Sequence, residues 1–248
     1  MTVNEFVFLI VLLLGFTVLM PLLGRRDMAA LRRTPAGKLP AARRKFYFLT
    51  NVFEWSVTGF FLAWWLLMGR SAAEIGLHFQ VSGLQWLAVA VSLAAAAGFV
   101  VYTWRVTDSP KGLAQVREQL GDLVLVSPHT RAELPQFYRV SITAGICEEV
   151  LYRGLMMTAL AGVIGLWPAV VVSSVLFGLA HAYQGAAGVL RTGLVGLVMA
   201  LVVVFTGSLP VAMLIHAAID MVQGRMLQAA VSVPELVDAG AVEAAASA

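Results

Sequence analysis

Two adjacent carboxylates and an arginine, Glu148, Glu149 and Arg153, sit inside an apolar run from about Phe137 to Ile164. That run is long enough to span a bilayer. Each charge at the middle of a membrane costs on the order of 3 kcal/mol even on lenient insertion scales. Such groups persist where partners or chemistry hold them. Glu149 and Arg153 are four apart, share a helical face and can pair. Glu148 points about 100° away, towards a different neighbour. One carboxylate can therefore be neutralised locally while the other faces a polar cavity. The alternative is a buried ion pair that only fixes helix packing. Cys147, the single cysteine, excludes an intrachain disulfide; it reads as a small packing residue or as a thiol nucleophile.

Two further clusters follow. Phe177 and His181 are four apart, so the ring packs one turn before the imidazole. His181 also reads as a histidine at the membrane interface. His216 and Asp220 share a face one turn apart, where an Asp can fix an imidazole's orientation and tautomer. A carboxylate with a histidine partner can deprotonate a water for attack on a carbonyl. A second histidine can donate to the developing oxyanion. Glu and His residues are also competent zinc ligands, with Glu148, His181 and His216 as the set. Ser174 is a turn and a half from His181, a poor placement for a serine nucleophile. No cofactor is required by these residues; zinc stands as the alternative.

The elements that must carry these groups are membrane helices. The chain of 248 residues is 60% hydrophobic and 12% charged, with mean hydropathy +0.84. Soluble domains are about half apolar and a quarter charged. Seven apolar spans are expected, at 5–23, 46–69, 83–104, 137–162, 167–184, 187–207 and 209–228. The fold class is thus all-α, a polytopic bundle of about seven transmembrane helices. The first span has no basic run before it and no cleavage site, and reads as a retained helix.

Basic residues crowd alternate loops. Arg25, Arg26, Arg32, Arg33, Lys38, Arg43, Arg44 and Lys45 follow span one; Arg105, Lys111, Arg117 and Arg131 follow span three. The loop between spans two and three carries only Arg70. This positive-inside pattern puts the N-terminus outside and the C-terminus in the cytoplasm, as in a prokaryotic inner membrane. Lys111 to Leu125 reads as an amphipathic surface helix or a solvated connector. Thr130 and Glu133 have the form of a capping box that starts a helix near 131. Residues 1–130 form the N-terminal helices and loops, 131–230 the helical core with the polar groups, and 231–248 a short, poorly ordered tail. All three belong to one membrane domain. The chain carries no nucleic-acid motif.

The three clusters, Glu148-Glu149-Val-Leu-Tyr-Arg153, Phe177-Gly-Leu-Ala-His181 and His216-Ala-Ala-Ile-Asp220, resemble the CPBP family. This family holds the CAAX-prenyl endopeptidases and the bacteriocin-processing or immunity proteins, often termed Abi. Its pattern is EExxxR, FxxxH and HxxxN/D on successive helices. The resemblance covers about residues 135–228, and Ala73–Leu77 is similar to a short segment the family carries before the third span. It implies a hydrolase, an intramembrane protease. Glu148 would activate water with His181; His216 and Asp220 would stabilise the oxyanion; Arg153 and Phe177 would organise the site. Glu149 would organise it too, with a direct part as an alternative. Asp220 departs from the Asn of the eukaryotic branch, and this favours an orienting or metal-related role. The implied partners are a lipid bilayer and a peptide, prenylated or membrane-protein substrate, with no nucleic acid. Two non-peptidase readings stay open: an immunity or scaffold protein using the same polar core, and a proton relay, for which no inverted repeat is seen.

Overall fold

The computed structural model describes residues 2–232 except Phe79. The tail expectation for 233–248 lies outside the described residues. Among the described residues every regular element is helical. The first helix, α1 (Val3–Arg32), begins with Thr2, whose hydroxyl accepts from the Glu5 amide while the Glu5 carboxylate accepts from the Thr2 amide. A π-helical turn at Gly15–Leu19 widens it just before Pro21, which has no N–H to offer the preceding turn. Then come α2 (Leu39–Leu67), α3 (Gln85–Thr107) and α4 (Pro110–Gln119). Helix α5 runs over 134–164, with a π-helical stretch at Glu149–Met156 in its middle. Helix α6 (Leu166–Ala180), α7 (Gly185–Thr206) and α8 (Leu209–Val231) complete the bundle. Gly165 and Gly207, both at positive φ, reverse the chain before α6 and α8.

All seven expected apolar segments lie in helices. Three stretches are long and apolar enough to cross a membrane among the described residues: Val3–Arg32, Gln85–Thr107 and Ala182–Thr206. The others are shortened or diluted by polar groups. Helix α6 has only 15 residues and stops at Ala180, short of the expected 184. Asn51 and Glu54 dilute α2, the Glu148–Arg153 motif dilutes α5, and His216 and Asp220 dilute α8. Large apolar side chains such as Phe48, Trp86, Leu87, Leu190 and Leu214 face outward, as a lipid-facing surface requires.

Helix α8 packs against α5 and α3, and α7 against α6. Small residues allow the closest approaches. A Cβ on Gly145 would meet the Ala217 backbone nitrogen at 2.7 Å, and one on Gly178 the Val189 carbonyl at 2.6 Å. Backbones that close replace the hydrophobic driving force that helices lack in lipid. The Ala73–Leu77 segment forms a turn whose Gly76 carbonyl accepts from the Leu209 amide at 2.9 Å. It thereby caps the start of α8, while Ile75 covers Gly154.

Two local expectations are corrected. The amphipathic helix is shorter than 111–125: it ends at Gln119, and its apolar face, with Leu113 buried, packs against α8 and α3. Helix α5 starts at Leu134, because Glu133 serves another partner than Thr130. Its carboxylate accepts from the His129 amide at 2.7 Å and pairs with Arg43 at 3.1 Å. Arg43, in a loop that reads as exposed, is only 2% accessible. It also donates to the Leu125 carbonyl, and nearby Tyr47 donates to Val126. This joins α2 to the segment leading into α5.

Burial opposes ionisation of Glu133, but the His129 amide and the Arg43 guanidinium outweigh it and hold its carboxyl below the ordinary carboxylate range. A depressed folded pKa adds stability that is present above the unfolded value of about 4.3 and is lost as pH falls through the folded value. Thermal unfolding in detergent should therefore weaken on acidification below that point. Glu133→Gln should flatten this acid limb and cost about 3 kcal/mol at pH 7, since it strands a buried guanidinium.

Candidate active site

Helices α5, α6 and α8 bring the three clusters to one place. The centre is the Glu149 carboxylate, fully buried at 0% accessibility. Its Oε1 accepts from Arg153 at 2.9 Å and from His216 Nδ1 at 2.8 Å. Arg153 also donates to the Gly196 carbonyl on α7 at 3.0 Å, and its guanidinium lies 4.3 Å from the centre of the Phe177 ring. A charge in such a setting is tolerable only because each partner neutralises and hydrogen-bonds the other. The i,i+4 pairing expected of Glu149 and Arg153 is present. Glu149 additionally holds His216, the orienting task expected of Asp220. Asp220 instead faces the other nitrogen, with Oδ2 3.6 Å from Nε2.

Glu148 occupies the gap between the two imidazoles. Its Oε1 is 3.9 Å from His181 Nε2, and its Oε2 is 3.8 Å from His216 Nε2. Both separations exceed a direct hydrogen bond and suit a group shared between them. His181 is the first residue past α6, and its Nδ1 lies 2.9 Å from the Phe177 carbonyl. A carbonyl can only accept, so Nδ1 donates to Phe177 and Nε2 is the nitrogen turned towards Glu148. Phe177 contacts Tyr152, His181 and His216 with ring centres 4.9, 4.9 and 6.1 Å apart. One phenyl ring thus lies against both histidines.

A cavity of about 730 Å³ opens between α1 and α2 and reaches Glu148 and His181. Its walls are mostly apolar, with Phe16, Tyr152 and Tyr183 near the polar end and Arg26, Asp27 and Lys45 at the far end. His216 stands behind Glu148, at 5% accessibility. Glu54 of α2 also lines the cavity, within electrostatic reach of Glu148, His216 and Asp220. Its Oε2 is covered and meets no hydrogen-bond partner. From sequence, Glu54 reads only as a polar residue near the end of its span. The one available signal was its cost: a lone carboxylate on an apolar helix needs a reason.

The cysteine and the serines of this region lie away from the imidazoles or are hydrogen-bonded within their own helix. Cys147 is buried against the bundle. Ser173 and Ser174 both spend their hydroxyls on the Val170 carbonyl and present no nucleophile to His181. Among the described residues no group of three His, Cys, Asp or Glu side chains is placed to hold a metal ion.

Bilayer-length apolar helices around a buried carboxylate–imidazole core are the build of an integral membrane protein. Residues 130–222 match the family model described as type II CAAX prenyl endopeptidase Rce1-like, a similarity that supports a CPBP family intramembrane protease. The match covers less than half of the chain but contains all three motifs; Glu54 lies outside it. It supports a membrane endopeptidase acting on a peptide substrate. No match is found among curated proteins or solved structures.

Removing Arg153 should strand the buried Glu149 charge and loosen His216 together. Arg153→Ala should lower stability by about 3 kcal/mol or more, read as a fall in unfolding temperature and in folded yield from detergent. Arg153→Lys should recover only part, because a lysine cannot reach both Glu149 and the Gly196 carbonyl with a planar fork.

Proposed function

We propose that this chain is an intramembrane endopeptidase in which Glu148 and His181 activate a water against a peptide carbonyl. The observation that carries the reading is the placement of Glu148 between the Nε2 atoms of His181 and His216 at the end of the cavity. A water between Glu148 and His181 can donate one hydrogen bond to each, leaving a lone pair for attack. As the water oxygen bonds to the carbonyl carbon, its proton passes to Glu148. Glu148 returns that proton to the leaving nitrogen as the C–N bond breaks. His216, with Nδ1–H committed to Glu149, donates from Nε2 to the oxyanion in its imidazolium form, steered by Asp220. The hydrogen bonds already aimed at Glu149 mean that little reorganisation is needed during the step.

Glu54 adds a carboxyl across the cavity from Glu148. A peptide entering an apolar groove brings N–H groups that need acceptors, and the carboxyl of Glu54, which lines the groove, supplies one. The groove between α1 and α2 suits a substrate with an apolar or prenylated portion, delivered from the membrane. The bundle crosses the membrane seven times, with the basic loops on the cytoplasmic side and the N-terminus outside, in a prokaryotic inner membrane. The charge asymmetry supports this topology: the outer Arg70 is tied up by Glu5 and Glu74, whereas Arg44 and Lys45 project on the basic side. The reaction requires no cofactor. Zinc on Glu148, His181 and His216 is the competing arrangement, and no step is routed through it.

In reconstituted protein, cleavage of a farnesylated CAAX peptide and of an unprenylated membrane peptide should both be followed. Glu148→Gln and His181→Ala should each lower kcat by about 100-fold or more with little change in unfolding temperature. Glu54→Leu should raise KM more than it lowers kcat, and Glu54→Gln, which keeps an acceptor, should retain most of the binding. Unchanged turnover in Glu148→Gln would remove the glutamate mechanism. Metal analysis of the purified chain, with chelator and zinc add-back, decides between water activation by the side chains alone and by zinc.

A further inference from the structure

A second cavity, of about 620 Å³, lies between α2 and α5 on the opposite side of α2 from the substrate groove residues Phe53 and Val57. It is lined by Arg44, Tyr47, Phe48, Asn51, Trp55, Gln136, Arg139, Ile142 and Thr143. Its back wall is built. Trp55 Nε1 donates to Thr143 at 3.2 Å, Thr143 donates to Asn51 at 2.5 Å, and Asn51 donates to the Tyr47 carbonyl at 2.7 Å. These bonds fix the two helices and spend the wall's polar groups on each other. The rim differs. Arg44 and Arg139 come from different helices, are both exposed, and make no ion pair among the described residues. Directly below them Phe48 and Trp55 are 66% and 49% exposed, and Ile142 is 46% exposed.

Two free cations above an aromatic and aliphatic cleft are the chemistry of an anionic headgroup above its acyl chain. We propose that this cleft binds one anionic phospholipid, with its phosphate between Arg44 and Arg139 and an acyl chain along Phe48, Trp55 and Ile142. Basic pockets between membrane helices take anionic headgroups in this way. The order of groups matches a lipid's own depth profile. Guanidinium groups lie at the edge, the amphipathic Trp55 indole lies deeper with its N–H already bonded, and Ile142 faces hydrocarbon. A soluble phosphate would engage the arginines but leave the apolar cleft unfilled. The site does not depend on the peptidase reading.

The test uses the full chain in nanodiscs of phosphatidylcholine with increasing phosphatidylglycerol, and counts lipid retained on release by native mass spectrometry. The parent should retain one phosphatidylglycerol in preference to phosphatidylcholine. Each basic residue near an anionic surface is worth about 1 kcal/mol, so Arg44→Ala/Arg139→Ala should weaken retention by about thirtyfold. The equal charge loss in Arg33→Ala/Lys38→Ala should leave it within about twofold, and Trp55→Leu should weaken it without a change in charge. Both arginines lack internal partners, so the unfolding temperature in lipid-free detergent should stay at the parent's value. Equal loss in the two double variants would show general surface attraction and overturn the site. So would full displacement of the lipid by millimolar inorganic phosphate, which would make it a free-phosphate site.

Discussion

One oxygen atom holds this site together. Oε1 of Glu149 receives both Arg153 and His216, so a single buried acceptor joins α5 to α8, and Arg153 extends the link to α7 through Gly196. Neither Arg153 nor His216 has another carboxylate at comparable distance. The pair is costly to bury, and what it returns is position rather than net stability. With His216 anchored through Nδ1, Nε2 must face Glu148. With Arg153 stacked on Phe177, that ring in turn sets the spacing to His181. The reactive geometry depends on an ion pair that does not itself face the cavity.

The backbone makes room for this arrangement. The π-helical stretch at Glu149–Met156 places the whole Glu149–Arg153 motif in a widened turn, a distortion that recurs at functional positions. All eight residues of that stretch are buried. Gly145 and Gly196, free of side-chain bulk, let α8 and α7 come close enough for Glu149 and Arg153 to reach them. Helix α6 ends one residue before His181, which frees the imidazole from the helical register while its Nδ1 still bonds back to Phe177.

Local spacing made part of this legible. The i,i+4 relations of Glu149 with Arg153 and of Phe177 with His181 follow from helical periodicity, and both occur. The convergence of the three motifs followed from their shared chemistry and order. What spacing could not show were pairings across long stretches of chain. Arg43 looked like one basic residue among eight, yet it alone of that group is buried, on a carboxylate that resembled a helix cap. Glu54 was separated from the motifs by most of the intervening loop and helix. The choice between Asp220 and Glu149 as the anchor of His216 was equally closed, because only the helix crossing decides which carboxylate meets which nitrogen. The number of bilayer crossings was blurred for the opposite reason: the polar groups that form the site depress the apolar signal of the helices that carry them.

The Arg43–Glu133 pair also has a consequence for biosynthesis. Its two members are 90 residues apart. While the ribosome is still making α3, Arg43 is a cation in the first turns of α2 whose carboxylate partner does not yet exist. Once Glu133 emerges, the same guanidinium is withdrawn from water and becomes an internal fastener. The pair thus joins an early helix to one made much later, so α2 and the start of α5 are fastened only after both have been synthesised.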